Sequence, residues 1–392
     1  MKKLFLLLLA LLLPLCARAD AARDVTWEVK LEAPSYATTG VENLRDEDEN
    51  TGYAVPGTHK QYLYVTPGQD AVAAVNVEFG LAFSRFEVQA QSAGEWQTVA
   101  ACENPGFAQV SLTFPPQSER FRFRFYPLDR GADLSVRELR LYSEGELAPG
   151  LLYDWQPPTE KADILFLAAH PDDELLWFGG AIPSCADAAR SVQVAYLTCG
   201  SAQRRLELLN GLRCCGVRNY PDIGRLKDMT GTRAQVLDTW GRQTALNRLV
   251  RLLRRYQPEV VVTHGVKGEY GHIQHMLCSQ LLTEAVPLAA DPSYLKKEGP
   301  VWQVKKVYLH GGEEPTTFMN WDAPLPSLNG ITGMEAAQRA FLMHRSQNHE
   351  KFSVAQPGDR NDSTLYTLTI TTVGPDVLGG DFFENIPADC LQ

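Results

Sequence analysis

The chain has 392 residues, 44% apolar and 21% charged, with a formal net charge of −10 at neutral pH. That length points to two domains and is no obstacle to a sizeable core. The composition is ordinary for a globular protein, and the acidic balance argues against nucleic acid or an anionic membrane surface as a partner.

The first 19 residues read as a secretory signal peptide. "MKK" is basic, "LFLLLLALLLPL" is apolar, and "ARA" is a small-x-small cleavage site before Asp20. Cys16 raises a lipid anchor as an alternative, but Leu15 is bulky where that signal wants a small residue. Loss of Lys2, Lys3 and Arg18 takes the formal charge from −10 to −13. No second apolar run is long enough to span a bilayer, so the expected location is secreted or periplasmic. Seven cysteines remain, at 102, 185, 199, 214, 215, 278 and 390, with no CxxC pair. That is neither a zinc-ribbon pattern nor a dense disulfide framework. Adjacent Cys214 and Cys215 read as buried helix residues.

Residues 25–146 alternate between apolar and polar. "AVAAVNVEFG", "SRFEVQAQS", "EWQTVAA", "QVSLTF", "RFRFRFY" and "SVRELRLYS" are short, β-branched or aromatic, and separated by Gly, Pro and Ser. They predict an antiparallel β-sandwich of jelly-roll type. In "RFRFRFY", Phe121, Phe123 and Phe125 take one face and Arg122 and Arg124 the other. Trp96 is expected in the core. Residues 147–161, with paired prolines, form a linker or strap.

From 162 to 392 the pattern changes to alternating buried strands and helices. "ADILFLAA", "SVQVAYLT", "EVVVTH" and "VKKVYLHG" are strands; "SAQRRLELLNGLRCCGV", "RAQVLDTWGRQTALNRLVRLLRRY" and "HIQHMLCSQLLTEAV" are helical. This predicts an α/β domain with a mostly parallel, Rossmann-like sheet covered on both faces. Ligands in such sheets bind at the carboxyl ends of strands. "HPDDE" (170–174) lies at one such end, and His264 with "GEYGHIQH" at another.

Helix capping alone would explain one or two of the acids in "HPDDE". It does not ask for His170. His272 and His275, three apart at a helix start, share a face. A catalytic zinc site takes three protein ligands and keeps an open position. His170, Asp173 and His275 supply such a set, and Asp172 is left near the open position as a general base. His272 is placed to donate to a developing oxyanion or a leaving amine. Fe2+ or another divalent metal suits the same donors, so the ligands alone do not name the metal.

"AHPDDE" with a later "GHxxH" resembles the PIG-L or LmbE-like de-N-acetylases, metal-dependent enzymes, usually zinc, that remove acetyl from N-acetylglucosamine units. The resemblance implies metal ligands at His170, Asp173 and His275, a general base at Asp172, and an acid or oxyanion partner at His272. It places a carbonyl-polarising tyrosine at Tyr270, a substrate-facing arginine at Arg204 in an Arg-x-x-Glu helix with Glu207, and a sugar-binding acid at Asp228. "AFLMHRSQ" (340–347) resembles a late family helix, and "LYTLTITTVGPD" and "GGDFFENIP" resemble the tail of bacterial members. One position departs: the family commonly reads His-Pro-Asp-His, and this chain has Gln274 in place of the acid.

The earlier segments are similar in order to a discoidin, or coagulation-factor C-type, module. "NLRDEDENTGY" resembles its acidic turn, which in such modules often holds a structural calcium; Asp46, Glu47, Asp48 and Glu49 are the candidate Ca2+ ligands. The implied partners are an N-acetylated sugar or glycan for the catalytic half and a glycan or cell wall for the sandwich. The alternative is that the sandwich walls the substrate groove. The expected function is therefore an exported N-deacetylase. The competing readings are an amidase acting on another N-acyl substrate and, prompted by Gln274, a glycan-binding protein whose catalytic half has decayed.

Overall fold

The computed structural model describes residues 20–392 except Pro105 and Arg130. The expected signal peptide, 1–19, lies outside the described residues. Nine strands come first: β1 (Lys30–Glu32), β2 (Tyr53–Val55), β3 (Gln61–Thr66), β4 (Val72–Phe79), β5 (Phe83–Ser92), β6 (Glu95–Glu103), β7 (Gln109–Gln117), β8 (Phe121–Pro127) and β9 (Leu134–Ser143). They form two antiparallel sheets, ordered β1-β3-β8-β5-β6 and β2-β9-β4-β7. The alternation in the sequence sets what faces what: Phe121, Phe123 and Phe125 are buried with Phe86 and Val88 against Val75, Val77, Leu139 and Leu141 of the facing sheet. Strands β1 to β3 carry no clear alternation and were not expected.

Trp96 does not join that core. It lies half-buried on the outer face, where the Arg122 guanidinium stacks 4.3 Å from its ring and 4.0 Å from that of Tyr62. A cation over an indole is favourable at a surface, so the tryptophan needs no core site. The acidic turn is also engaged. Asp46 accepts from the Asp48 N–H and the Thr51 hydroxyl, and Asp48 from the Asn50 N–H. Glu47 faces Arg140 and Arg345. Among the described residues this turn gathers no set of three ligand atoms.

The second half is a seven-stranded mixed sheet. It contains β10 (Ile164–Ala168), β11 (Val192–Thr198), β12 (Asp222–Leu226), β13 (Val260–Thr263), β14 (Lys306–His310), β15 (Thr317–Phe318) and β16 (Leu365–Thr371), in the order β12-β11-β10-β13-β14-β16-β15. The first five are parallel; β16 runs antiparallel to β14, and β15 to β16. β10 explains why its sequence is apolar throughout: Ile164, Phe166 and Ala168 enter one core, Leu165 and Leu167 the other.

The helices are α1 (Asp173–Leu176), α2 (Ala181–Asp187), α3 (Ala202–Cys214), α4 (Arg233–Trp240), α5 (Arg242–Tyr256), α6 (Ile273–Ala290) and α7 (Gly333–Phe341). The long helix expected over 233–256 is two, broken at Gly241, whose φ of 67° leaves the helical region. The late helix resembling 340–347 ends at Phe341, and residues 342–347 continue as an irregular strap. All seven cysteines among the described residues are free. No helix among them is long and apolar enough to cross a membrane.

Residues 147–161 contain no helix or strand, yet they are pinned on both sides. Trp155 donates to Gln109 at 3.0 Å, and the Gln156 N–H donates to Arg218 O at 2.8 Å. The two halves also meet directly. The Ala108 N–H donates to the Tyr220 hydroxyl (2.9 Å), Gln109 to Asn210 (2.6 Å), and Arg205 to the carbonyls of Phe79 and Gly80.

Candidate active site

The first site segment is the turn between β10 and α1. Asp172 has φ 104°, an unusual value for a residue with a side chain, and Glu174 Oε2 accepts its N–H at 2.8 Å. The Asp172 side chain makes no cap hydrogen bond, so capping does not account for it. Asp173 opens α1 and turns its carboxylate inward. Oδ2 accepts from the His170 N–H (2.8 Å) and Oδ1 from Trp177 Nε1 (2.9 Å).

The second segment follows β13. The backbone turns through positive φ at Gly268, Tyr270 and Gly271, then enters α6 with His272 at the N-cap and His275 in the first turn. His170, Asp173 and His275 converge. His170 Nδ1 is 2.9 Å from Asp173 Oδ2, and His275 Nε2 is 3.2 Å from both His170 Nδ1 and Asp173 Oδ1. All three are buried, His275 completely. His170, His272 and His275 likewise bring ligand atoms within 4.8 Å of one another, as do Asp173, His264 and His275. Buried ligand-type atoms this close suit a divalent cation, and His272 Nδ1 is a buried nitrogen without a partner in the protein.

These groups meet a pocket of about 120 Å³ lined by His170, Asp172, Asp173, Arg204, Asp228, Tyr270 and His272, with Leu176, Gln347 and Phe352. Of the eight site residues expected, seven line it, and His275 lies behind them. Arg204 bridges two acids, with Nη2 3.1 Å from Asp172 Oδ2 and Nη1 3.0 Å from Asp228 Oδ2. Its guanidinium thus touches the pocket while already paired. Tyr270, half-exposed, also lines a groove of about 960 Å³ walled by residues of 265–270, 309–314 and 360–369.

Burial, then the adjacent Asp173 charge, pushes the Asp172 carboxyl up to about 7, with Arg204 and His344 opposing. Burial would raise Asp173 too, but His275, His170 and His264 hold it well below the usual carboxylate range. Burial and the neighbouring imidazoles His275 and His170 bring His272 down to about 3. Burial, then Asp173 and Asp172, raises the Tyr270 hydroxyl.

Several residues here were not foreseen. Glu269, 3% exposed, receives three imidazoles: Nδ1 of His264 and of His275 at Oε2, and Nδ1 of His310 at Oε1, each at 2.7 Å. Burial would raise its carboxyl, but His264 alongside and the hydrogen bonds from His264, His275 and His310 hold it well below the ordinary range. Glu269 stands three residues before His272 and was within reach of a closer reading. His310, at the end of β14, had no local signal. Glu207 on α3, expected as the acid of the Arg-x-x-Glu helix but with no partner foreseen, accepts from the Ser346 N–H (2.7 Å) and hydroxyl (2.6 Å), fixing the strap that carries Gln347 to the pocket. That pairing spans 139 positions.

Residues 165–286 match the family described as PIG-L: GlcNAc-PI de-N-acetylase. A 1D-myo-inositol 2-acetamido-2-deoxy-alpha-D-glucopyranoside deacetylase of Frankia casuarinae is 31% identical over 207 residues, which cover 43% of this chain and 67% of the relative. The chain belongs to the PIG-L family. A deacetylase of the same description from Catenulispora acidiphila is 30% identical over 183 residues, 38% of this chain. The PIG-L chain described here spans only 56% of that relative's length. A solved N,N'-diacetylchitobiose deacetylase from Pyrococcus horikoshii aligns with 50% of this chain and 74% of its own, at 22% identity and a TM-score of 0.38.

Proposed function

We propose that this protein is an exported, zinc-dependent hydrolase that removes the acetyl group from N-acetylglucosamine-type sugars. The observation that carries the reading is the convergence of His170, Asp173 and His275 beside Asp172 in one small pocket. The PIG-L match supports the substrate class, and the leader-like residues 1–19 support export. His170, Asp173 and His275 would hold a divalent ion, which would supply Lewis acidity toward an amide carbonyl and a water.

The chain's own residues do the rest. Asp172 is the general base, taking a proton from the attacking water; Arg204, 3.1 Å away, orients its carboxylate. Burial favours the neutral form of His272, from which it can donate a ring N–H to the developing oxyanion. The Tyr270 hydroxyl donates to the same carbonyl oxygen. The amide C–N bond breaks, the sugar amine takes up the proton that Asp172 received from the water, and acetate leaves. Arg204 and Asp228 bind sugar hydroxyls at the pocket wall.

The PIG-L match and the deacetylase relatives are why the deacetylase is preferred to a general amidase; a panel of N-acyl substrates separates the two. The groove beyond Tyr270 has room for the remainder of a glycan. The sandwich supports the pocket through Arg345, which donates to Glu47 O and sits next to Ser346 and Gln347 of the wall. Glycan or cell-wall binding by the sandwich is part of the same proposal, resting on its likeness in segment order to discoidin modules. The test is acetate release from monomeric and oligomeric N-acetylglucosamine substrates, with metal removal and Asp172→Asn as controls. Release that ignores both controls overturns the mechanism. No release from any N-acetylated sugar overturns the substrate class.

A further inference from the structure

We propose that Glu269 and Gln274 are positioning residues that orient the two imidazole ligands, Glu269 acting on His275 and Gln274 on His170. This rests on the metal reading above. The proton positions follow from groups that can only donate or only accept. The Ala169 N–H, 2.9 Å from His264 Nε2, can only donate. His264 therefore carries its proton on Nδ1, toward Glu269 Oε2. His275 Nδ1 meets the same carboxylate oxygen and must donate to it. That leaves the Nε2 lone pair of His275 facing His170 Nδ1 and Asp173 Oδ1. Glu269 Oε1 accepts from His310 Nδ1 and, at 3.2 Å, from the Gly265 N–H.

Gln274 settles the other ligand. It is fully buried, and its amide nitrogen donates to Lys227 O at 2.9 Å. A carbonyl can only accept, so the Gln274 oxygen is the atom that meets His170 Nε2 at 2.6 Å. His170 Nε2 therefore donates to Gln274, and with a cation held between His170, Asp173 and His275 the Nδ1 lone pair of His170 would turn to it. An acid at 274 would be repelled by Lys227 O; the amide satisfies both neighbours. The carboxylate arrives instead from Glu269, swung inward by the turn at 268–271. Gly268 makes that turn feasible: its φ is 61°, and a Cβ there would lie 2.5 Å from His272 O.

Orienting partners of metal-bound histidines change metal affinity by about 10–100-fold when removed. The experiment measures zinc affinity of the full chain by chelator competition for wild type, Glu269→Gln and Gln274→Leu. It also records imidazole ¹⁵N–¹H correlation spectra of the zinc-loaded protein. The expected result is a loss of about 10–100-fold in each variant. In wild type the proton is expected on Nδ1 of His275 and Nε2 of His170; Glu269→Gln disturbs the His275 signal and Gln274→Leu the His170 signal. Zinc affinity within twofold of wild type in both variants, or His275 carrying its proton on Nε2, overturns the proposal. If Glu269→Gln does not fold, the wild-type spectrum and Gln274→Leu decide. Failure of wild type to bind zinc overturns the metal reading together with this inference. Tight zinc binding indifferent to both variants overturns this inference alone.

Discussion

Replacing Asp172 by Asn separates catalysis from stability, which one carboxylate here sets against each other. The backbone at 172 has φ 104°, and Asn, like Asp, is among the residues that tolerate positive φ best, so the turn is kept. Burial and Asp173 push the carboxyl up to about 7 from the usual 3.8. A raised pKa in the folded state means that the native protein holds a proton the unfolded chain has already released. Wild-type stability therefore falls as pH rises from about 4 to about 7, with a limiting slope of about 1.4 kcal/mol per pH unit. The full loss is at most about 4 kcal/mol, and less as Arg204 takes up the charge. Asparagine cannot ionise. The metal-free variant should match wild type near pH 4 and exceed it increasingly up to pH 7, then run parallel. At about 2–4 °C per kcal/mol for a domain of this size, thermal melts at pH 4, 5.5, 7 and 8 resolve this. Acetate release by the metal-loaded variant should fall by about 10²–10⁴-fold. A stability gap that does not change with pH, or activity within tenfold of wild type, refutes the assignment of Asp172 as a buried, charge-bearing base.

Three further outcomes follow from the packing. Asp376→Asn removes the carboxylate that faces buried Lys306 and accepts from Tyr308 (2.8 Å) and Thr317 (2.9 Å). Stranding that lysine should cost about 3–5 kcal/mol in denaturant melts, and a loss below 1 kcal/mol would contradict it. Tyr220→Phe leaves the Ala108 N–H, between the two halves, without its acceptor; a loss of about 1–3 kcal/mol is expected, and no change in melting would show that water replaces the hydroxyl. Burial, then Glu78, Asp46 and Glu49, pushes the Glu138 carboxyl up to about 8, so wild-type stability should decline between pH 5 and 8, and Glu138→Gln should flatten that decline. A steeper decline in the variant would reverse the sign of this reasoning.

How much of this was legible in the sequence depended on how local the signal was. Strand β10 declares itself because a strand buried on both faces must be apolar at every position. Its end declares itself because nothing but chemistry asks for His170 before two aspartates. The two candidate segments could be paired from sequence since each carries histidine or acid at a strand end. Strands β1 to β3 gave no such pattern, and Trp96 misled because an indole reads as core while a guanidinium such as Arg122 can cover it at the surface. The 233–256 segment kept a helical pattern across Gly241, and only the backbone angle shows the break. The Glu207–Ser346 contact that holds the pocket wall spans 139 positions, beyond any local pattern.

Gln274 shows why a departure from a family pattern should be read with its neighbours. Taken alone, an amide in place of an acid suggests a failing site, and it motivated the reading of a decayed enzyme. In the fold, that amide stands between a carbonyl that demands a donor and an imidazole that needs an acceptor, and no carboxylate satisfies both. The negative charge is supplied from position 269, where one buried carboxylate gathers His264, His275 and His310. A carboxylate buried at 3% exposure costs several kcal/mol of desolvation when unpaired, and the three imidazoles around Glu269 offset that cost. Gln274 and Glu269 are therefore two parts of one arrangement, and an amide at 274 is not by itself a sign of decay.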